Sequence, residues 1–297
     1  MHTILALCTE TAWESFRALE GSWLGQALPA CAGLYRIRLV EAGQSRVAYI
    51  GQSGNLKERI GALRAIYRQF MPYRAPHTAA PALWAWRQLL PESHFEVSVA
   101  PFPTVPRVMR LGLECLAIAL HRQQTGQSPL ANFGRMPAGY RASSGNDGRL
   151  VTRGKRFRGG PTAEIQENHR PGIPPVGPLM GGAHSRYWCC HVWTPWVELS
   201  RLRPVGQEGL YRLRAPGCEP LILLGQGKLG ERLQEHRHRA GLQCSWVSGE
   251  WLPHQRLELL TDLIGAHVLT TETLPLLQFE HLLPPDEPGS QRKLAAS

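Results

Sequence analysis

The chain has 297 residues and contains one phrase twice, and this repeat constrains the fold more than any other feature. Residues 33–60 begin with GLYRIRLV and end with YIGQSGNLKERI, while residues 209–233 run from GLYRLR to LLGQGKLGERL. In each copy the alternation of apolar and polar residues predicts two β-strands, and a helical pattern follows them. The chain must therefore build two similar units that combine strands with helices.

The order of predicted elements is shared well beyond this phrase. The first copy predicts a hairpin at Gly43, a helix over 55–70 capped by Asn55, a short helix over 82–90, a strand over 94–102 and a long helix over 108–123. The second copy predicts the same order without the short helix. Leu113-Glu114 aligns with Leu257-Glu258, and PLANF aligns with PLLQF.

These patterns predict an α+β protein with two tandem units, each a small three-stranded antiparallel sheet flanked by helices. A chain of this length is long enough for two cores. The expected segments are an N-terminal helical extension (1–30), a first unit (31–135), a basic Gly/Pro-rich linker (136–190), a second unit (191–285) and a C-terminal tail (286–297).

Residues 134–186 are rich in Gly and Pro and hold nine Lys or Arg against three Asp or Glu, over half of the chain's net charge of +10. Such a segment buries little apolar surface, so we expect a linker or a loop-rich arm. It is either an arm that orders along phosphates or a solubilising tether. The candidate nucleic-acid contacts are Arg153, Lys155, Arg156 and Arg158, with Gln52 and Lys57 in the first unit.

Seven cysteines are scattered along the chain without a CxxC pair, so we expect neither a disulfide framework nor a zinc ribbon. Cys189, Cys190 and His191 are adjacent, which favours buried thiols over a metal site. No apolar run reaches the roughly 20 residues that span a bilayer, and we recognise no secretory signal. These features predict a protein of the reducing cytoplasm without a membrane partner.

Two charged residues lie within apolar helical patterns. Arg59 borders a stripe that includes Leu56 and Ile60, and Glu114 is the only charged residue in LGLECLAIAL. Burying either charge without a partner is costly. A plain ion pair between Arg59 and Glu114 explains both, and so does a site in which the carboxylate binds a hard cation and the arginine holds a phosphate.

The tripeptides GLY and YIG, followed by this arginine and this glutamate in order, resemble the GIY-YIG nuclease superfamily over about residues 30–135. The resemblance implies a catalytic set of Tyr35, Tyr49, Arg59, Glu114 and Asn132. It implies that Glu114 holds Mg²⁺ or Mn²⁺ and that Arg59 clamps the phosphate. Tyr35 would accept a proton from the attacking water beside Tyr49, and Asn132 would tie the segment after the long helix to the site.

Two positions depart from the family pattern. Gln52 stands where many members carry Lys after YIG, and Leu63 stands where many carry Tyr or His four residues after the arginine. Tyr67 and His77 are the candidates for the missing aromatic or imidazole side chain.

The second copy keeps Tyr211, Arg232 and Glu258, but Leu223 replaces the second tyrosine and Gln278 replaces the terminal asparagine. We interpret it as a degenerate site with a second role, in target recognition or in dimerisation. The resemblance implies a metal-dependent DNA endonuclease, and a restriction or defence nuclease fits better than a repair nuclease because no further enzymatic module is recognised. The alternative is an inactive nucleic-acid binder. One site per chain predicts nicking, with double-strand cuts only through a homodimer.

Overall fold

The computed structural model describes residues 4–9, 11–20, 28–74, 77–144, 157–202 and 205–280. These residues form an α+β protein with two four-stranded antiparallel sheets, one in each half. Among them, no helix combines the length and the apolar character needed to cross a membrane. Arg153, Lys155 and Arg156, and the tail over 286–297, lie outside the described residues.

The first sheet has the order β1-β4-β2-β3, and β2 pairs antiparallel with both β3 and β4. Alternation along β2 buries Tyr35, Ile37 and Leu39 in one core, while Leu34 belongs to another. The elements of this half are α1 (Ile4–Thr9), β1 (Arg17–Ala18), β2 (Gly33–Glu41), β3 (Gln44–Ser53), α2 (Leu56–Leu63), α3 (Ala80–Leu89), β4 (His94–Pro101) and α4 (Arg107–Thr125).

The helix predicted over 55–70 is shorter in the structure. It ends at Leu63 and continues as a 3₁₀ turn over Arg64–Tyr67. Gly61 lowers the helix propensity of its last turn, and Pro72 is incompatible with a longer helix. Phe70 therefore leaves the predicted apolar stripe and is 60% exposed.

The second sheet has the order β11-β10-β12-β9, which is the same arrangement as the first sheet read from the other edge. In both sheets the first hairpin strand lies in the centre and a two-residue strand forms one edge. The elements are β5 (Tyr140–Arg141), β6 (Gly160–Pro161), β7 (Tyr187–Trp188), β8 (His191–Val192), β9 (Val197–Glu198), β10 (Glu208–Arg214), β11 (Leu223–Lys228), α5 (Leu229–Glu235), β12 (Gln243–Ser248) and α6 (Pro253–Thr271).

The short edge strands correct two expectations, because each sheet has four strands rather than three and the repeat begins before residue 31. The N–H of Glu14 donates to Val99 O at 2.8 Å, and the N–H of Thr194 donates to Trp246 O at 2.9 Å. WESFRAL (13–19) is thus the counterpart of WTPWVEL (193–199). We call residues 13–134 the first repeat and residues 193–280 the second repeat.

Helices α4 and α6 pack against each other and join the two repeats in one hydrophobic core that includes Leu116 and Leu263. Their close approach depends on Gly265, where a Cβ atom would lie 2.6 Å from the Cβ of Ala119. The apolar faces of α4 and α6, which were predicted to belong to two separate cores, therefore pack against each other.

The described part of the predicted linker has few regular elements, but it packs against both repeats instead of forming a free tether. Val176 and Trp188 are buried in the core shared by α4 and α6. The N–H groups of Ile173 and Val176 donate to the carboxylates of Glu258 (2.8 Å) and Asp262 (3.0 Å). A few large apolar residues and these hydrogen bonds are enough to order a segment of basic, Gly/Pro-rich composition.

Candidate active site

Tyr35 in β2, Tyr49 in β3 and His77, which precedes α3, form a cluster of three rings. The ring centroids lie 5.8 Å apart for Tyr35 and Tyr49, 5.7 Å for Tyr35 and His77, and 5.1 Å for Tyr49 and His77. Of the two candidates for the missing aromatic or imidazole side chain, His77 is the one that contacts both phenols. Tyr67, the other candidate, instead carries the guanidinium of Arg87 over its ring.

The glycine of YIG has a packing reason. A Cβ atom at Gly51 would lie 2.5 Å from Cε1 of Tyr49 and 2.7 Å from Oη of Tyr35, far inside van der Waals contact. Only glycine therefore allows the two phenols to lie side by side at this point of the hairpin.

Hydrogen bonds set the direction of the protons in the cluster. The N–H of Ala79 donates to Nδ1 of His77 at 3.2 Å, so a neutral imidazole carries its proton on Nε2. Nε2 lies 2.7 Å from Oη of Tyr35 and donates to it. Tyr35 then donates to Tyr49, whose oxygen also receives a hydrogen bond from Thr78.

The pKa values of these groups follow from burial and from two nearby charges. Burial, and then the Arg59 guanidinium, lower the pKa of His77 to about 3, so the imidazole is neutral. Burial raises the pKa of Tyr35 well above its ordinary value. The pKa of Tyr49 is raised to about 12 by burial and by Glu114, against the lowering effect of its two hydrogen-bond donors and Arg59.

Glu114 projects from α4 into a pocket of about 390 Å³ that Tyr49 also lines. Burial raises the pKa of this carboxyl to about 8, while Arg59 lowers it. Without a further positive charge, Glu114 is therefore largely protonated at neutral pH. A carboxylate that needs a cation to ionise, in a pocket open to solvent, has the electrostatics of a cation ligand.

Arg59 lies on α2, half-buried, at the edge of the stripe formed by Leu56 and Ile60. Its charge acts on Tyr35, Tyr49, His77 and Glu114 in the same direction, toward the deprotonated form of each. Of the sequence-derived residues, Tyr49, Glu114 and Asn132 line one pocket, Tyr35 lies against Tyr49, and the charge of Arg59 acts on both phenols and on Glu114.

Asn132 has a positioning role. Its Oδ1 accepts the N–H of Ile50 at 3.0 Å, and its Nδ2 donates to the C=O of Ile50 at 2.9 Å. The side chain thus fastens the segment after α4 to β3, beside Tyr49. With both polar atoms engaged, Asn132 shapes the pocket rather than acting on a substrate directly.

The second repeat supplies part of the wall of this pocket. Leu257 and Thr261 of α6 line it opposite Glu114 and Asn132. The sequence patterns placed α6 in a separate unit, so these two residues were not among the expected site residues.

Helices α4 and α6 have the same length, and equivalent arginines near their first turns define their true register. Nε of Arg110 donates to Gln52 at 3.4 Å, and Nε of Arg256 donates to Gln226 at 3.1 Å. These glutamines occupy equivalent positions next to Gly51 and Gly225.

This register corrects the sequence alignment of Glu114 with Glu258 by two residues. It places Leu260 at the position of Glu114, and Glu258 at the position of Gly112. Successive residues of an α-helix are rotated by roughly 100° about its axis, so a shift of two residues moves a side chain to nearly the opposite face. Glu258 is accordingly fully buried, with Nη1 of Arg122 at 3.7 Å.

The second repeat consequently keeps only half of the set. Tyr211 lies 3.4 Å from Nε2 of His236, and burial raises the pKa of Tyr211 to about 12. Arg232 lies on α5 and pairs with Glu235 at 2.9 Å. Leu223 and Leu260 stand where the first repeat has a phenol and a carboxylate, so this location lacks a cation ligand of the kind found in the first repeat.

The described candidates for nucleic-acid contact differ in their surroundings. Lys57 is exposed on α2, and Arg158 is exposed shortly before β6. Gln52 is half-buried and accepts a hydrogen bond from Arg110, so its amide is already engaged.

Glu114 could contribute one ligand to a hard divalent cation. Within the described ranges, no group of three or more His, Cys, Asp or Glu side chains is arranged to hold a metal. Mg²⁺ commonly binds through one or two carboxylates, with water and substrate phosphates completing its shell. Glu114 alone, in a pocket with room for water and a phosphate, meets that requirement.

No protein-family model matches the chain, and neither a curated protein nor a solved structure matches it. The arguments for function consequently rest on the geometry above. Sequence reasoning named His77 only as one of two candidates, because a loop residue has no periodicity that predicts its position.

Proposed function

We propose that the protein is a divalent-metal-dependent DNA endonuclease with one active site, in the first repeat. The observation that carries the proposal is a cluster of two phenols and a neutral imidazole beside a pocket that Tyr49 and the Glu114 carboxyl group line, with the charge of Arg59 acting on all four groups. Structural ion pairs need no phenols and no pocket. Phosphodiester hydrolysis requires a proton acceptor, a counter-charge for the phosphate and a cation ligand, which are the groups present.

Tyr49 is the best placed group to accept a proton from the attacking water once its own proton has left to solvent through the pocket that it lines, because the two hydrogen bonds that its oxygen receives stabilise the phenolate. Tyr35 is buried behind it, and His77 holds Tyr35 in the donor orientation. This assignment moves the proton acceptor from Tyr35, which the family resemblance implied, to its neighbour. Arg59 neutralises charge on the scissile phosphate.

Glu114 would hold Mg²⁺ or Mn²⁺. When bound, the cation would supply positive charge that favours ionisation of Glu114 and Tyr49 and stabilises the leaving oxygen. The net charge of +10 supports an anionic substrate of the size of a nucleic acid.

The second repeat lacks the counterparts of Tyr49 and Glu114, which supports one strand cut per binding event. A double-strand break then requires a second protein molecule, through a homodimer or a second encounter. Restriction or defence remains the role that we favour, in the cytoplasm of the cell that makes the protein.

The test compares matched arginines of the two repeats in a cleavage assay with supercoiled plasmid and Mg²⁺ or Mn²⁺. Arg59→Ala is expected to lower the nicking rate by roughly 100-fold or more, as loss of one charge-stabilising donor does in other enzymes. Arg232→Ala, on the equivalent helix of the second repeat, is expected to nick at the wild-type rate. Glu114→Gln is expected to abolish both cleavage and Mn²⁺ binding, measured by titration of the free ion.

Two results contradict the proposal. If wild type and Arg59→Ala both leave the plasmid intact, the result would favour an inactive nucleic-acid binder. Equal losses in Arg59→Ala and Arg232→Ala would show that the site is not confined to the first repeat.

A further inference from the structure

Exposed aromatic rings accompanied by arginines lie next to the candidate active site. Phe70 is 60% exposed and Phe157 is 41% exposed, although both are large apolar side chains. Together with Tyr73, Arg141 and Arg158 they form what we call the aromatic–arginine surface. Its residues come from the loop after α2 and from the two strands β5 and β6 with their flanks.

The surface is held together by specific contacts. Nη1 of Arg158 donates to the C=O of Met71 at 3.0 Å, and its guanidinium lies 4.6 Å from the ring centroid of Tyr73 and 5.9 Å from that of Phe70. The guanidinium of Arg141 lies 4.9 Å from the ring of Phe157. Each arginine therefore covers part of a ring and leaves other parts of Phe70 and Phe157 to solvent.

The surface leads to the pocket of Glu114. Arg74 follows Tyr73 in the chain, and its backbone N–H donates to the C=O of Ser144 at 3.2 Å. Ser144 in turn accepts and donates hydrogen bonds with the backbone of Phe157. Arg74 lines the same pocket as Glu114, so it connects the surface to the pocket.

Charge on the surface is strongly positive. Residues 68–74, 140–144 and 157–164 contain Arg68, Arg74, Arg141 and Arg158 against one acid, Glu164. Glu164 lies 3.7 Å from Arg141, and both side chains are at least half exposed, so the pair is weak. The complementary partner is therefore a polyanion that also offers flat apolar faces.

We propose that the aromatic–arginine surface binds an unpaired strand of nucleic acid and directs it into the pocket of Glu114. Unpaired bases offer faces that stack on exposed rings, whereas the bases of a continuous duplex are already stacked on each other. Phe70 and Phe157 stack bases, and Arg141 and Arg158 contact phosphates. The inference rests on the proposed function and deepens it, because it makes the substrate a DNA with an unpaired segment beside the cleaved bond.

The test measures binding without catalysis, by fluorescence anisotropy in EDTA with Glu114→Gln protein. The probes are a blunt duplex and the same duplex with an unpaired oligo(dT) arm. Phe70→Leu/Phe157→Leu keeps apolar bulk but removes both rings, and Arg158→Gln removes one charge. Tyr187→Leu removes an aromatic side chain that is 71% exposed on β7 and serves as the matched control. Thermal melting verifies that each variant is folded.

The double Phe variant is expected to lose roughly tenfold in affinity for the armed probe per lost stacking contact, with little change for the blunt probe. Its salt dependence is expected to match that of the parent, whereas Arg158→Gln reduces the salt slope. Tyr187→Leu is expected to bind as the parent does. Equal affinity of the double Phe variant and the parent for the armed probe would overturn the inference.

The two proposals fail separately. If the protein nicks plasmid but the double Phe variant binds the armed probe as tightly as the parent does, the nuclease proposal stands and the proposed role of the aromatic–arginine surface is refuted. If the protein never nicks DNA but the double Phe variant loses affinity for the armed probe, the proposed role of the surface stands and the nuclease proposal is refuted.

Discussion

Arg122 is the residue whose replacement tests most directly whether the two repeats form one folding unit. It is fully buried in α4, and its Nε and Nη2 donate to the two carboxylate oxygens of Asp262 in α6, at 2.8 Å and 3.0 Å. It also donates to Ser128 and, at 3.3 Å, to the C=O of Ile173 in the connecting segment. One guanidinium thus joins three parts of the chain.

Arg122→Met keeps an apolar stem but removes the guanidinium and leaves two acids buried. Asp262 would retain the N–H of Val176 as a donor, and Glu258 would retain the N–H of Ile173 and the distant Arg135. Removing one partner of a buried ion pair costs about 3–5 kcal/mol, a large part of the total stability of a typical protein. Arg122→Met/Asp262→Leu, which removes the ion pair of Arg122 with Asp262 and leaves only Glu258, is expected to cost less than Arg122→Met alone.

The assay is urea unfolding followed by tryptophan fluorescence and by far-ultraviolet circular dichroism. Lys228→Met, which breaks an exposed pair with Glu231, is the control and is expected to cost less than about 1 kcal/mol. Both signals are expected to report one transition, because α4 and α6 share a core. A cost for Arg122→Met as small as that of the control, or two separate transitions, would refute the reasoning.

Two further predictions use equivalent or buried positions. Gly51→Ala places a Cβ atom that collides with both phenols of the first repeat, so it is expected to lower the nicking rate strongly. Gly225→Ala collides with the ring of Tyr211 in the second repeat and is expected to leave the nicking rate unchanged. Equal effects of the two variants would contradict a single active site. Burial lowers the pKa of His77 to about 3 and that of His267 to about 4, so the unfolded chain binds more protons between these values and the ordinary pKa near 6.5. The contribution of these histidines to the free energy of unfolding is therefore largest above pH ~6.5. It falls on acidification, by up to about 1.4 kcal/mol per pH unit for each buried histidine. His267→Gln should flatten this slope in urea titrations at several pH values and exposed His238→Gln should not; an unchanged slope would exclude His267 as a cause.

Much of the architecture could be predicted from local patterns. Alternation along residues 33–51 predicts the hairpin of β2 and β3, and the apolar period of residues 108–123 predicts α4, because strand and helix place every second or every third to fourth side chain on one face. The two-residue strands β1 and β9 are too short to show a period, so the sheets were expected to have three strands.

The candidate site divides in the same way. Charged or polar residues within apolar patterns indicated Arg59 and Glu114, since burial of such groups is costly without a purpose. His77 reaches the phenols through a loop, and Thr261 reaches the pocket from the other repeat. Neither position has a local signal in the sequence.

By itself, then, the sequence determined the repeat, the order of the longer strands and helices, and the unusual positions of Arg59 and Glu114. Only the tertiary structure decided that the two repeats share a core, and that Leu260 rather than Glu258 is the counterpart of Glu114. The physical reason is that Leu-Glu pairs are common in amphipathic helices, so the sequence of α6 can be aligned with that of α4 in two registers. The equivalent hydrogen bonds of Arg110 to Gln52 and of Arg256 to Gln226 select one of them.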